Sequence, residues 1–166
     1  MATAEERVGA GRAAMSSGGV RVLIRRATLA DVESIAAIEI RSFSNPWHPL
    51  TFSSLVSEGR AHVLVAEGPD AQVVGYAVVW WVLEQGELAN LAVAEGLRGK
   101  GVGSALLDRA LADAKANDVE SLFLEVRFSN DPAIHLYRSR GFTQVAVRRD
   151  YYRSPREDAR VLLKEL

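Results

Sequence analysis

The amino-acid sequence predicts an α/β fold with one mixed, mostly antiparallel sheet of about seven strands, flanked by about four helices. Short β-rich segments recur along the chain with turn residues between them, which predicts several sheet strands. In the second half, the strand pattern "ELANLAV" precedes the helical pattern "SALLDRALADA" and then the strand pattern "SLFLEV". A strand, a helix and a strand in that order predict a right-handed crossover between parallel neighbours.

The first half of the chain predicts a strand, two helices and an antiparallel pair of strands. "VRVLIRRAT" predicts the strand, and Thr28 with Asp31 three positions later has the pattern of a helix cap. The first helix ends at "NPWHP", because its prolines cannot continue a helix, and "LTFSSLVSEG" predicts a second, shorter helix. "HVLVAE" and "QVVGYAVVWWVL", separated by the turn-like "GPDA", predict the antiparallel pair.

After the crossover the sequence predicts one more helix and two last strands. In "SNDPAIHLYRSRGF", Asp131 is the predicted N-cap, Pro132 takes the first helical position and Gly141 follows the helix end. "FTQVAVR" and "ARVLLKEL" predict the strands on either side of the polar "RDYYRSPRED". No repeat or linker interrupts the chain after residue 20, so we expect one domain over residues 21–166.

The first twenty residues differ from the rest in composition. They are rich in alanine, glycine and serine, so we expect residues 1–20 to be a disordered N-terminal extension, with Met15 as an alternative start. The longest apolar run, Tyr76 to Leu83, is far shorter than the ~20 residues that span a bilayer, and no apolar signal region opens the chain. We therefore expect a cytoplasmic protein that does not bind a membrane.

Composition and spacing also exclude several kinds of chemistry. The chain has no cysteine, which excludes disulfides, thiolate metal sites and a cysteine nucleophile. Its net charge of -1 gives no reason to expect a nucleic-acid partner. His48, His62 and His135 share no metal-like or triad-like spacing, so we expect surface or loop histidines and no metal.

The segment "RGKGVG", Arg98 to Gly103, lies where the crossover helix begins. Backbone N–H groups at a helix start lack internal partners and carry the positive end of the helix dipole, so they bind anions. Glycines let an anion approach closely, and Arg98 and Lys100 add charge that suits a pyrophosphate. The spacings of a P-loop and of a dinucleotide motif are both absent. From these six residues alone, a glycine-rich loop with solvated cations is an equal alternative.

The longer segment "LRGKGVGSALL" resembles the acyl-CoA signature Q/R-x-x-G-x-G/A of the GNAT acetyltransferases, with Arg98, Gly101 and Gly103 at its defined positions. "LEVRFSNDPAIHLYRSRGF" and "RRDYY" follow in the order seen in the ribosomal-protein alanine N-acetyltransferases, the RimI family. The resemblance covers Val22 to Leu166. It implies the GNAT fold, in which the two parallel strands splay apart to make a slot.

The resemblance also implies acetyl-CoA as co-substrate. Its pantetheine would run along the backbone of the first parallel strand, and a backbone N–H near Val93 would stabilise the oxyanion. Asn130 matches a position that contacts the cofactor. The implied cofactor-binding residues are Leu91, Ala92, Val93, Arg98, Gly99, Lys100, Gly101, Val102, Gly103, Ser104 and Asn130.

Acetyl transfer to an amine needs a proton acceptor for the amine and a proton for the departing thiolate. Glu125 matches the proton acceptor of the family, although its residue pattern alone favours a pair with Arg127 at a strand end. Tyr137 matches the proton donor, although most tyrosines in such a position complete a core. Glu87 is a rival base, because other GNAT branches use an acid on this strand.

The acceptor site is implied by the loops that cover it in this family. Trp47 and Phe52 on one side, and Tyr151 and Tyr152 on the other, are the expected substrate-binding residues. For each of them, packing within the fold is the alternative. Arg148 and Arg149 could line the same site, and a solvated turn with aromatic packing is the equal alternative for their segment.

The resemblance therefore implies an enzyme that passes acetyl directly to the N-terminal amine of a protein within one ternary complex. The implied acceptor is the N-terminal alanine of a small-subunit ribosomal protein, and the enzyme is expected as a monomer or weak dimer. One alternative is a GNAT acetyltransferase of a small amine or an antibiotic. Another is a non-catalytic acyl-CoA-binding module.

Overall fold

Eight strands form one mixed sheet in the computed structural model, which describes residues 13–14 and 19–166. The strands are β1 (Ala13–Ala14), β2 (Val22–Arg26), β3 (His62–Glu67), β4 (Val73–Val82), β5 (Gln85–Val93), β6 (Ser121–Arg127), β7 (Thr143–Arg153) and β8 (Arg156–Glu165). The helices are α1 (Val32–Ser42), α2 (Pro49–Glu58), α3 (Val102–Lys115) and α4 (Asp131–Ser139).

The strand order is β1-β2-β3-β4-β5-β6-β8-β7. All neighbours are antiparallel except β5 and β6, which are parallel and joined through α3. The predicted fold class and the predicted crossover are therefore confirmed. The two-residue β1 pairs with β2 and is additional to the seven predicted strands.

Each face of the sheet carries its own core, built by one pair of helices. On the first face, α3 and α4 cover a cluster that includes Leu106, Leu122 and Tyr137. On the second face, α1 and α2 cover a cluster that includes Ile35, Phe52 and residues of β3, β4 and β5. Strands β6, β7 and β8 contribute no buried residue to this second cluster, so α1 and α2 leave their side of that face uncovered.

The parallel pair separates soon after it begins. Backbone pairing joins β5 and β6 from Gln85 and Ser121 to Glu87 and Phe123, and among the described residues it does not continue beyond that point. Within β5, the register against β4 shifts at Ala89, as in a β-bulge. The sheet therefore has a gap between its two parallel strands, as the resemblance implied.

The structure differs from the predicted elements at three places. A short 3-10 turn at Leu29–Asp31 precedes α1. The side chain of Asn130, not Asp131, caps α4, because it accepts a hydrogen bond from the Ala133 N–H at 3.3 Å. The last two strands extend through most of "RDYYRSPRED", which was predicted as a polar connection.

Two predictions concern the ends and the surroundings of the chain. The predicted disordered extension and the alternative start at Met15 fall largely on residues 1–12 and 15–18, which lie outside the described residues. The boundary at residue 20 stays a prediction. None of the helices in residues 19–166 is both long enough and apolar enough to cross a membrane.

Candidate active site

The start of α3 provides the backbone groups that were predicted to hold an anion. Gly101 caps the helix with φ of 86°, and Gly99 has φ of 72°; both values lie in the left-handed region that glycine adopts without strain. The side chain of Val102 is buried in the core at 1% exposure. This anchors the first turn, whose N–H groups have no partner within the helix.

Arg98 connects this loop to two other elements. Its Nε donates to the carbonyl oxygen of Val93 at 3.0 Å, and its Nη2 lies 3.2 Å from the Ser42 Oγ at the end of α1. The Arg98 guanidinium therefore holds the end of β5 beside the glycine loop. Lys100 is exposed.

Glu125 lies on β6 at the mouth of the gap, on the sheet face opposite α3 and α4. Its neighbours Leu124 and Val126 are buried under those helices, so strand alternation directs Glu125 to the other face. Its carboxylate is 10% exposed and lies 2.9 Å from the Nε of Arg148. The expected pair with Arg127 does not form, since Arg127 binds Glu157 at 3.2 Å instead.

Glu87 lies on β5, on the same face as Glu125. The Trp80 indole donates to its carboxylate at 3.0 Å. Burial raises the pKa of Glu87 above its ordinary value, the Trp80 hydrogen bond opposes this shift, and the nearby charge of Glu125 adds to it. Two carboxylates therefore face the same mouth, one paired with a cation and the other partly desolvated.

Tyr137 lies on the opposite face, in α4. Its ring is buried at 7% exposure in the cluster under α3 and α4, with the Phe142 ring 5.8 Å away. Burial, and then the neighbouring Tyr152, raises the pKa of the Tyr137 phenol well above its usual range. The phenol is therefore protonated throughout the neutral pH range.

An irregularity in β7 lies close to Glu125, with Arg148 and Tyr152 at its two ends and Tyr151 within it. Pairing with β8 shifts between Arg148 and Tyr152, so the intervening residues leave the ladder. A hydrogen bond to Glu125 raises the pKa of Tyr151 to about 12. Tyr151 and Tyr152 are 5.0 Å apart between ring centroids, and the Arg127 guanidinium lies 4.1 Å above the Tyr152 ring.

The α1–α2 loop forms the other side of this mouth. Trp47 stacks on Trp80 at 6.1 Å, with Phe52 5.7 Å away. Phe52 is fully buried beneath it at 0% exposure. The two sides are joined by Arg127, whose Nη2 lies 3.1 Å from the Ser44 Oγ in the α1–α2 loop and 3.1 Å from the Ser154 carbonyl in the β7–β8 turn.

A buried carboxylate that the sequence did not predict lies next to this mouth. Glu39 on α1 is 1% exposed and accepts hydrogen bonds from the Tyr76 hydroxyl, the Asn90 side chain and the Trp47 backbone. One signal was available: Glu39 lies four positions after Ile35, on the apolar face of its helix. Its partners lie on distant segments, which the sequence does not connect.

The remaining candidate residues lie elsewhere. His48 caps α2 by accepting from the Leu50 N–H, and His135 is exposed on α4. His62 was expected at the surface or in a loop, but it is half-buried in β3 against Trp81, with ring centroids 4.1 Å apart. Residues 13–14 and 19–166 hold no group of three His, Asp or Glu side chains arranged to bind a metal.

Comparison with known proteins gives consistent matches. The sequence profile of the acetyltransferase (GNAT) family matches residues 32–142. Ribosomal protein bS18-alanine N-acetyltransferase of Escherichia coli (strain K12) is 34% identical over 134 residues, which cover 80% of this chain and 89% of that protein. An N-alpha-acetyltransferase of Sulfurisphaera tokodaii is 34% identical over 161 residues, covering 89% of this chain and 95% of that protein. The crystal structure of the Escherichia coli ribosomal-protein-S18-alanine N-acetyltransferase has a TM-score of 0.78 at 33% identity, covering 86% of this chain and 92% of that one.

These matches extend over nearly all of the described chain, and the gap between β5 and β6 lies inside the region that the family profile covers. Both the fold and the family predicted from "LRGKGVGSALL" are confirmed. The chain belongs to the GNAT acetyltransferase family and is an N-acetyltransferase of the ribosomal-protein alanine N-acetyltransferase type.

Proposed function

We propose that this protein transfers the acetyl group of acetyl-CoA to the N-terminal amine of a protein, with the N-terminal alanine of a small-subunit ribosomal protein as its acceptor. The observation that carries the proposal is the gap between β5 and β6, which has the Glu125 carboxylate on one face and the Tyr137 phenol on the other. An acceptor and a cofactor can therefore approach from opposite faces and meet within the sheet.

The cofactor side is the face covered by α3 and α4. The pyrophosphate would bind the N–H groups from Gly99 to Ser104 at the start of α3, with Lys100 supplying exposed charge. The edge of β5 from Leu91 to Val93 that faces β6 without pairing to it would bind the amides of pantetheine as a neighbouring strand would. Asn130 caps α4 on this side and would contact the cofactor through its remaining polar atoms.

The acceptor side is the mouth between the α1–α2 loop and the β7 bulge. Trp47, backed by Phe52, would form one wall, and Tyr151 and Tyr152 the other. An amine entering between them meets Glu125. A terminal α-amine has a pKa near 8, so roughly a tenth of it is neutral at pH 7. A weak base such as a carboxylate is therefore enough to deprotonate it.

The reaction would proceed by direct attack in one ternary complex. The amine nitrogen forms a bond to the acetyl carbon while Glu125 accepts a proton from that nitrogen. A backbone N–H near Val93 would stabilise the tetrahedral oxyanion. The carbon–sulfur bond then breaks, and Tyr137 donates its proton to the thiolate. Glu87, with its raised pKa, ranks second as the base.

The first test of this proposal measures CoA release and acceptor mass with a peptide that has a free N-terminal alanine. Its control is the same peptide with a blocked N-terminus and an internal lysine. We expect only the free α-amine to be acetylated. Acetylation of the lysine, or of neither peptide by a protein that still binds acetyl-CoA, contradicts the proposal and favours a small-amine acceptor or a binding module.

The second test examines the two proposed catalytic residues. We expect Glu125→Gln and Tyr137→Phe each to lower kcat about 100-fold or more, since each removes a proton transfer. The affinity for acetyl-CoA should stay close to wild type in both variants, because neither residue belongs to the glycine-rich segment at the start of α3. Near-wild-type kcat in Glu125→Gln together with loss of kcat in Glu87→Gln would move the base to Glu87.

A further inference from the structure

Glu39 is an ionisable side chain in the middle of an apolar core. It is 1% exposed, within the cluster of Ile35, Phe52 and Val78 under α1 and α2. A carboxylate in such a place costs free energy unless donors surround it, and an apolar residue of the same size would pack there without that cost. The groups that donate hydrogen bonds to Glu39 therefore indicate why a carboxylate is present at this position.

The first partner is the α1–α2 loop, which forms one wall of the proposed acceptor site. Glu39 Oε1 accepts from the Trp47 backbone N–H at 2.9 Å. Trp47 lies in "NPWHP", between α1 and α2, where neither a helix nor a strand can take up its N–H. The Glu39 carboxylate therefore accepts the hydrogen bond that a backbone carbonyl would accept in a helix or strand. This contact fixes the backbone of the loop at Trp47, from which the ring projects.

The second partner is the bulge of β5. The Asn90 amide donates to both carboxylate oxygens of Glu39, at 3.2 and 3.1 Å. Asn90 directly follows Ala89, the extra residue at which the register against β4 shifts. Bulge residues leave the strand ladder, so a side-chain anchor determines how far the bulge projects. This same strand leads from Glu87 to the edge at Leu91–Val93.

The third partner, Tyr76, has a different place. Its hydroxyl donates to Glu39 Oε2, and its ring is fully buried against Phe52, with centroids 5.5 Å apart. Tyr76 lies inside β4 and touches neither the α1–α2 loop nor the bulge by a hydrogen bond of its side chain. A substitution of Tyr76 therefore measures the stability that this hydrogen-bond network supplies, while the hydrogen bonds to the α1–α2 loop and to the bulge remain.

We propose that Glu39 is a positioning residue for acetyl transfer, which fixes the acceptor wall at Trp47 and the cofactor strand at Asn90 relative to each other. The proposal rests on the proposed function, because it assigns these two surfaces to acceptor and cofactor. A single rigid carboxylate then sets the distance across which the amine meets the thioester.

Glu39→Leu tests the proposal, since leucine suits the apolar surroundings but has no acceptor atom for either Trp47 or Asn90. We expect kcat/KM for the alanine peptide to fall about tenfold or more, the size of at least one lost hydrogen bond. Asn90→Ala should lower kcat with acceptor KM within about threefold, because the Trp47 contact remains. Tyr76→Phe should keep kcat/KM within about twofold while losing stability.

The matched variants separate positioning from stability. If Tyr76→Phe lowers kcat/KM as much as Glu39→Leu at a temperature where both are folded, Glu39 is only part of the core and the proposal fails. It also fails if Glu39→Leu has wild-type kinetics.

A second readout does not depend on the acceptor. By NMR, exchange of the Trp47 amide and of the Asn90 side-chain amide should be slow in wild type and in Tyr76→Phe, and both should become faster in Glu39→Leu. If the wild type does not acetylate the peptide, the proposed function fails, and this exchange pattern still decides whether Glu39 holds the loop and the bulge. Should Glu39→Leu not fold, Asn90→Ala must lower kcat, or the proposal is wrong.

Discussion

At the scale of single residues, the acceptor mouth holds two carboxylates in different electrostatic surroundings. Glu125 faces a cation, with Arg148 Nε 2.9 Å away, whereas Glu87 faces the indole of Trp80. The same Arg148 lowers the pKa of Glu87, while the charge of Glu125 raises it. A change at one of these residues therefore alters the protonation of its neighbour.

This difference predicts a pH-dependent gain of stability in Glu87→Gln. The pKa of Glu87 is raised in the folded state, so its ionised form opposes folding at neutral pH, and the amide removes that opposition while still accepting from Trp80. We expect a higher Tm than wild type at pH 7. The gain should shrink as the pH falls through the folded pKa of Glu87, where the wild-type carboxyl is protonated.

The check is a series of thermal melts from neutral to acidic pH, with Glu84→Gln as a matched exposed control. A gain that stays constant with pH would show that the amide stabilises by packing and not by removing a charge.

Some of these residue roles could be predicted and others could not. Glu125 and Tyr137 were named because their segments match a family motif. The partner of Glu125 could not be named, since Arg148 lies on β7, which β8 separates from β6 in the sheet, and the sequence does not specify which residues meet across an intervening strand. Glu39 was missed because its donors come from a loop and from two strands distant in sequence.

At the scale of elements, the crossover from β5 through α3 to β6 builds the proposed cofactor side. Its existence was predicted from periodicity, but the point where the two strands separate was not. That point depends on tertiary packing of α3 over the sheet, which a pattern of apolar residues does not specify. The last two strands were predicted, but their extension through "RDYYRSPRED" was missed, because the polar residues there lie on a largely exposed strand.

Close approach of α3 to the sheet depends on Gly75 in β4. A Cβ at this position would lie 3.0 Å from the Ala92 carbonyl oxygen and 3.1 Å from the Leu106 side chain. The oxygen is backbone and cannot rotate away. We expect Gly75→Ala to lose about 1–3 kcal/mol of unfolding free energy, as overpacked cores do, and to raise the Kd for acetyl-CoA by displacing the start of α3.

Gly96→Ala is the control, since a Cβ there meets nothing within 4 Å; Gly96 lies in the connection between β5 and α3. Denaturant melts and titration with acetyl-CoA measure the two effects. Equal effects of both substitutions would show that the loss does not come from the contact of Gly75 with Ala92 and Leu106.

At the scale of the whole molecule, the sheet consists of two parts joined at a short parallel ladder. One part holds β1 to β5 and the other holds β6 to β8, and their direct pairing is limited to the stretch from Gln85 to Glu87 on β5 and its partner on β6. A ligand bound along the gap adds contacts to both parts. Ligand binding should therefore stabilise the molecule and restrict motion between them.

We expect CoA at 100 times its Kd to add about 2.7 kcal/mol to the unfolding free energy, by mass action alone. Deuterium uptake should fall along β5 from Leu88 to Val93 and at the start of α3. Adenosine 3′,5′-bisphosphate, which has no pantetheine, should protect only the start of α3. Equal protection of β5 by both ligands would contradict a pantetheine site on that strand.

The gap has one more consequence, which concerns aggregation and selectivity. A sheet that opens in its middle has inner strand edges whose N–H and C=O groups can pair with any extended chain, and exposed edges of this kind promote association between proteins. Here the inner edges lie between α3 and α4 on one side and the acceptor loops on the other. A polypeptide would bring side chains into that narrow space, whereas the β-alanine and cysteamine units of pantetheine are unbranched. The slot can thus exclude other proteins by its width alone, without a residue dedicated to rejecting them.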